Sequence, residues 1–469
     1  MAKQKAVDEN GYRKFGTLDS VSYAAGDFGC NMCFALAGTY FTLFWTQYMK
    51  ISSLVFAGLL ILMKVWDAIN DPIIGNMVDH SKKQYKNSKF LYYISVGSIG
   101  LMISTCLCFL PVPGAPMVAK YILCAVSYMI WSVFYTMVNV PYGSMLGVIT
   151  ADPGQRAQLG AWRTLGALLA SLPVGMILPA LIYDKDNNVM GGKLFVISIV
   201  MGLISVLAFR FMTSNTVRRV PTPELSADAP KTSMMDSIKN FAKNRPAIGV
   251  TLLPVGQYLG SYGAATAVAV MFQSYFHNAA ISGLLSMATI IPMIAFIPLA
   301  KVITEKFGKK ESSAVGYIVS MAACLLLLVL PIEANGTGVL MYMVLMIISS
   351  FGASAGSCFM NAMMADAIDY NEWKTGKREE GTTYALHSFF RKLAQGVGPS
   401  LGLVLMVALG YDEQLGATQP FEVALKMRYL VAALYLAGAV LQFIGAKFVY
   451  NLDKKTLSQM ETELKAKRG

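Results

Sequence analysis

Apolar residues run along this chain in stretches of about 20 or more, rather than in the three-to-four spacing of a soluble amphipathic helix. Short polar segments rich in Lys, Arg, Gly and Pro separate them. The pattern predicts twelve membrane-spanning helices, at 19–48, 53–79, 90–110, 118–148, 158–182, 193–213, 247–276, 282–304, 312–331, 339–366, 382–410 and 426–450. Several exceed the minimum crossing length, as tilted spans do. The predicted fold class is therefore an all-α polytopic membrane protein.

Most of the 39 Lys and Arg residues stand in the termini and the even-numbered loops. The odd-numbered loops hold few, among them Lys50, Lys120, Lys185, Lys193, Lys426 and Arg428. The positive-inside rule then predicts both termini to be cytoplasmic. The longest polar stretch divides the spans six and six: an N-terminal bundle 1–213, a central cytoplasmic loop 214–245 with Pro221, Pro223 and Pro230, a C-terminal bundle 246–450 and a tail 451–469. The halves echo each other. Gly75-Asn-Met-Val-Asp79-His-Ser-Lys82-Lys83 follows span 2, and Lys301-Val-Ile-Thr-Glu305-Lys-Phe-Gly308-Lys309-Lys310 follows span 8. That loop is similar to the signature of the major facilitator fold, whose halves are repeats joined by a central loop.

The composition is 55% hydrophobic and 14% charged over 469 residues, with a mean hydropathy of +0.51, which excludes soluble globular and disordered classes. The net charge of +12 is spread over the inner loops, so nucleic acid is not an expected partner. All seven cysteines lie in apolar runs and read as reduced packing residues, including the Cys30–Cys33 pair. Met1 to Phe15 is polar, and no cleavable signal is evident. His and Cys are scarce at membrane depth and no nucleophile–base pair appears, so an enzyme is not expected. No cofactor is expected.

Seven ionisable residues stand well inside apolar runs: Asp27, Lys64, Asp67, Asp71, Arg163, Arg391 and Lys392. An acid at the bilayer centre costs about 2.5–3.5 kcal/mol on insertion scales, so each needs a partner. Lys64, Asp67 and Asp71 share one face of span 2 at i, i+3 and i+7. The set reads either as a structural ion-pair network or as the lining of a central cavity where a transported cation completes the balance. Two close carboxylates suit Na⁺ through hard oxygens and H⁺ through mutual repulsion, and the sequence does not choose. On span 4, Tyr135, Asn139 and Gly143 share a face, with Pro141 expected to kink the helix. Asn and Tyr suit sugar hydroxyls and equally suit a helix–helix hydrogen bond. On span 11, His387 pairs in spacing with Arg391 and Ser388 with Lys392, so two cations call for an anion: an acid of the other half or a substrate carboxylate. Asp366, Asp369 and Glu372 read as a cytoplasmic loop collar able to pair with Arg156 as a gate.

Asp27, the Lys64-Val-Trp-Asp-Ala-Ile-Asn-Asp-Pro72 stretch, Arg156-Ala-Gln-Leu and Asp369-Tyr-Asn-Glu-Trp-Lys-Thr-Gly together resemble the glycoside–pentoside–hexuronide:cation symporter family over essentially the whole chain. The resemblance implies cation-coupled sugar uptake on a twelve-helix major facilitator fold, in the inner membrane, by single chains. It assigns the cation site to Asp67, Asn70, Asp71 and Thr136, the sugar-contacting acid to Asp27, and cavity cations to Arg163 and Lys392. Melibiose carriers of that family have an Asp where this chain has Asn139 and a Trp where it has Gly143. The Glu380-Gly-x-x-Tyr384 and Phe389-x-Arg-Lys392 pattern looks instead like the glucuronide carriers. The expected substrate is thus an anionic hexuronide or glucuronide, docked among Asp27, Tyr135, Asn139, Arg163, His387, Ser388, Arg391 and Lys392. Neutral glycosides or pentosides, sulfonated sugars, a lysolipid cargo and a non-transporting sugar sensor are the alternatives.

Overall fold

The structure, a computed structural model, describes residues 12–79, 81, 83, 85–86, 88–150, 152–220, 239, 241–376 and 380–468. Most of the predicted central loop, the Lys82 of the first signature loop and the charged run 377–379 lie outside the described residues, as do the side chains of Asp79, Lys301, Glu305, Glu380 and Tyr384.

Each predicted span corresponds to a helix. In order they are α1 Thr17–Leu43, α2 Ser53–Asp79, α3 Lys89–Cys108, α4 Met117–Ile149, α5 Pro153–Met176, α6 Gly191–Asn215, α7 Arg245–Val270, α8 Ser282–Phe307, α9 Lys309–Val329, α10 Gly336–Thr375, α11 Glu380–Ala408 and α12 Phe421–Phe443. A further helix, α13 Lys454–Arg468, occupies the tail. Among the described residues, eight helices are long and apolar enough to cross a membrane by length and composition. Large apolar side chains such as Leu54, Ile61, Val65 and Ile73 of α2 and Val196, Val200 and Leu207 of α6 stand exposed, as lipid-facing positions do.

Local chemistry sets the helix starts. Asp152 accepts from the Gln155 amide at 2.7 Å, Asn244 from Ala247 at 3.1 Å and Asn335 from Gly338 at 2.9 Å, each satisfying a first-turn N–H. With Asp152 as cap and Pro153 in the first turn, α5 begins earlier than the apolar run, so Arg156 is helical rather than a loop residue. α5 stops at Met176 and a one-turn piece, Leu178–Ile182, follows. The largest departure is α10. It does not end at 366 but runs 40 residues to Thr375, because nothing breaks it before Gly376 turns left-handed at φ 71°. Asp366, Asp369 and Glu372 are therefore on the last turns of a helix, not in a loop. Pro141 lies inside α4, which continues through it without interruption.

The chain forms two compact units, Met1–Asp228 and Ala229–Gly469. In the first, α1 packs on α5 and α6, α3 on α4 and α6, and α2 on α4. In the second, α7 packs on α11 and α12, α9 on α10 and α12, and α8 on α10, which is the same neighbour scheme six helices on. The repeat extends to detail. α1 and α7 both finish in a five-residue π turn, Phe44–Tyr48 and Met271–Tyr275. In each case a residue with positive φ then follows, Lys50 at 61° and His277 at 51°.

Close helix contacts rest on small residues, as is usual where lipid supplies no hydrophobic drive between helices. A Cβ on Gly166 of α5 would meet the Ala24 carbonyl of α1, and one on Gly402 of α11 would meet the Gly263 carbonyl of α7.

Candidate functional site

The intramembrane acids of α2 face a ladder of hydroxyls on α4. Tyr128, Ser132 and Thr136 stand one turn apart, so they project from one side of that helix. Lys64 Nζ donates to Tyr128 at 2.7 Å and to Asp67 Oδ2 at 2.9 Å. Tyr128 donates to the same Asp67 oxygen at 3.0 Å, and Ser132 donates to Asp67 Oδ1 at 2.5 Å. One turn further, Thr136 donates to Asp71 Oδ1 at 2.7 Å and accepts from Asn70 Nδ2 at 3.2 Å. The register 64–128, 67–132, 71–136 rises together, so α2 and α4 run in the same direction. Asn70 and Thr136 are buried, while the Lys64 and Asp67 side chains keep 31% and 27% exposure. Carboxylates with hydroxyl and amide oxygens form a hard-donor set suited to a small monovalent cation or a proton.

A second constellation joins α1 to α5. Arg163 Nε donates to Asp27 Oδ1 at 3.0 Å, and Asn31 Nδ2 donates to Asp27 Oδ2 at 3.0 Å. Asp27 is buried at 5% exposure, whereas the Arg163 side chain is 41% exposed, so the pair presents its cationic end. The guanidinium also lies 5.1 Å from the centre of the Tyr142 ring, which stacks on Tyr23 at 4.7 Å. Tyr142 donates to the Tyr23 carbonyl at 2.8 Å, holding that shelf in place. Nearby on α4, Tyr135 stacks on Trp131 at 5.1 Å and on Phe34 at 5.3 Å, and Asn139 is half-buried one turn along.

In the second unit, His387 of α11 is buried against α7. The Thr251 hydroxyl gives its one hydrogen to the Ala247 carbonyl at 2.7 Å. The contact of 3.0 Å between Thr251 Oγ1 and His387 Nδ1 therefore has the imidazole N–H as donor. Ser388 and Arg391 are half-buried and Lys392 is exposed.

The acids expected to gate are partly committed within their own unit. Asp366 is paired with Lys309 and accepts from the Tyr450 hydroxyl at 2.9 Å. Arg156, in the first turn of α5, donates to the Thr150 carbonyl at 2.9 Å.

Two further cations, placed by sequence beside odd-numbered loops, have a structural task. Lys120 donates to the Met49 carbonyl at 2.9 Å, and Arg428 donates to the Leu327 carbonyl at 3.0 Å. Each is a buried cation satisfying carbonyls that a helix end leaves open.

Sequence reasoning missed Tyr128, Ser132, Asn31, Tyr142 and Thr251. The first two were readable, because a Tyr-Ser-Thr run at four-residue spacing in an apolar helix is a polar stripe seeking a partner. It also missed Asp19, which at 2% exposure takes Arg13 at 2.8 Å and Arg219 at 3.1 Å and fastens the segment after α6 to the start of α1.

The repeated six-helix neighbour scheme agrees with the major facilitator architecture of the family that the sequence matches. The chain belongs to the MFS/sugar transport protein family, whose sequence pattern matches residues 22–454, and within it to the glycoside–pentoside–hexuronide:cation symporters. It is 29% identical over 467 residues to the uncharacterized symporter YjmB of Bacillus subtilis, covering 99% of this chain and 98% of that one. It is 26% identical to the isoprimeverose transporter of Lactiplantibacillus pentosus, over 94% of this chain and 90% of that one. To the glucuronide carrier protein homolog of Escherichia coli it is 25% identical, over 93% of each. The family consists of transporters and not enzymes, and this chain is a membrane transport protein of that family.

Proposed function

We propose that this protein is a cation-coupled glycoside symporter of the bacterial inner membrane, with twelve spans and both termini cytoplasmic, working as a single chain by alternating access. The observation that carries the coupling is the carboxylate–hydroxyl ladder between α2 and α4, which comprises Asp67, Asn70, Asp71 and Thr136. A monovalent cation, Na⁺ or H⁺, binds there and neutralises charge that opposes a closed, desolvated state.

The substrate favoured by the chemistry is an anionic glycoside, a hexuronide or glucuronide. Arg163 presents its guanidinium beside an aromatic shelf, Arg391 and Lys392 lie together on α11, and position 139 carries a neutral Asn. A guanidinium binds a carboxylate as a two-pronged donor. The sugar is assigned to Asp27, Tyr135, Asn139, Arg163, His387, Ser388, Arg391 and Lys392, and gating to Arg156, Asp366, Asp369 and Glu372. A neutral pentoside is the second reading, supported by the similarity to the isoprimeverose transporter. The same electrostatics accept a sulfonated sugar.

The test is uptake by purified protein in proteoliposomes, comparing phenyl glucuronide, a neutral xyloside and a sulfonated glycoside, with Na⁺ and pH gradients imposed separately. Accumulation of phenyl glucuronide driven by one of the two gradients is the expected result. Accumulation of the xyloside alone transfers the assignment to the pentoside reading, and facilitated equilibration without either gradient removes the coupling.

A further inference from the structure

Asp27 and Arg163 stand within hydrogen-bond distance without making the contact that a carboxylate and a guanidinium prefer. An arginine commonly meets a carboxylate as a fork, with two parallel N–H···O bonds. Here the pair is joined from Nε to Oδ1 at 3.0 Å. The second carboxylate oxygen is already taken. Asn31, one turn along α1, donates from Nδ2 to Oδ2 at 3.0 Å and to the Asp27 backbone carbonyl at 2.9 Å. The two bonds together hold the amide over Oδ2.

Tyr142 fixes the guanidinium from α4. Its ring is fully buried, and Cζ of Arg163 lies 5.1 Å from the ring centre. Tyr142 and Tyr23 each donate a hydroxyl to the other's backbone carbonyl, at 2.8 Å and more weakly at 3.5 Å, and their rings stack at 4.7 Å. Gly26 supplies the seat, since a Cβ there would run into the Tyr142 ring. The ring is thus set by the backbone of two helices and not by the arginine beside it.

We infer that Asn31 and Tyr142 are positioning residues for Arg163. Together they withhold it from a two-pronged pair with Asp27, so that its terminal nitrogens stay available to a carboxylate on the substrate. This rests on the anionic-glycoside reading above and adds to it the residues that keep the cation open. A guanidinium closed on both Asp27 oxygens would be neutralised and satisfied in place, whereas one held through Nε keeps charge-assisted donors for a second anion. The 41% exposure of the Arg163 side chain, against a buried Asp27, fits that arrangement.

Two readouts on purified full-length protein in detergent test it. Phenylglyoxal labelling, with Arg163 followed by peptide mass spectrometry, reports whether the terminal nitrogens are open and needs no sugar. Calorimetric binding of phenyl glucuronide and of neutral phenyl glucoside reports the consequence. Asn31→Leu frees Oδ2, so Arg163 should close on Asp27 and its labelling should slow. Affinity for phenyl glucuronide should then fall about tenfold, as for the loss of one charge-assisted hydrogen bond, with no drop in unfolding temperature. Affinity for phenyl glucoside should change less. Tyr142→Leu should act in the same direction, and Tyr142→Phe, which keeps the ring, should preserve both readouts. An Asn31→Leu protein with unchanged labelling and unchanged glucuronide affinity overturns the inference. So does an equal loss of both sugars together with a lower unfolding temperature, which would make Asn31 a structural residue. The Asn31 variant decides alone if Tyr142→Leu does not fold. The expected labelling pattern in a protein that binds no phenyl glucuronide supports the positioning and overturns the anionic-glycoside reading, which separates the two failures.

Discussion

Arg163 of α5 holds Asp27 of α1 through a single Nε–Oδ1 contact of 3.0 Å, with the acid buried and the base half open. The asymmetry decides which partner matters more for stability. Removing the guanidinium strands a buried carboxylate, whereas removing the carboxylate leaves a guanidinium that water already reaches. Arg163→Ala is therefore expected to destabilise the protein by about 3 kcal/mol, the low end for a broken buried pair given the exposed cation. Asp27→Asn should cost clearly less. Thermal unfolding in detergent measures both, and equal losses would mean that the difference in exposure between the two partners does not set the cost.

Arg391→Ala addresses the charge of the substrate. A charge-assisted hydrogen bond is worth about 1.5–3 kcal/mol, so uptake of a phenyl glucuronide should fall about 10- to 100-fold more than uptake of the neutral phenyl glucoside. Uptake competition between the two compounds in proteoliposomes reads the difference directly. Parallel loss of both would remove the carboxylate from the role of Arg391.

Coupling of one cation to a singly charged uronate carries a consequence for voltage. A net charge crossing 100 mV exchanges about 2.3 kcal/mol with the field, and a neutral loaded complex exchanges none. Initial uptake rates into vesicles should follow the chemical gradient of the ion and change little when a potassium diffusion potential is imposed. Strong stimulation by an inside-negative potential would require a second cation or a neutral sugar.

Outside the membrane, Asp453 caps α13 by accepting from the Thr456 amide at 2.7 Å, and these hydrogen bonds hold its carboxyl below the usual carboxylate range. A depressed folded-state pKa means stabilisation complete above the unfolded value, roughly pH 4, and lost as pH falls through the folded value. Asp453→Ala should weaken α13 by about 1 kcal/mol at neutral pH. Amide exchange along 454–468 should quicken. Trp373, whose indole donates to Glu463 at 2.6 Å, gives a fluorescence report of the same event. Unaltered exchange would mean that burial of Met460 and Leu464, rather than the cap, secures the helix.

The expected loop collar needed three-dimensional correction, for a local reason. Asp366, Asp369 and Glu372 read as loop residues because hydropathy falls off after 366. Hydropathy measures transfer to lipid and not helicity, so a polar helix extension is invisible to it. For Lys64 the sequence placed Asp67 and Asp71 on the same helix face, and the structure adds the distances. Its actual partners, Asp67 and Tyr128, are within 2.9 Å.

The chain alone determined the order of the long apolar helices among the described residues, the internal echo between halves and the rare charges within apolar runs, because the cost of exposing polar groups to lipid is written residue by residue. Periodicity also told which residues share a face of each helix. Which faces meet was decided only by tertiary packing. The parallel register of α2 on α4 brings Ser132 to Asp67 and Thr136 to Asp71, and small residues such as Gly166 set how closely neighbouring helices lie. Hydrogen bonds end within about 3 Å, so a candidate site becomes a chemical arrangement only when that register is known.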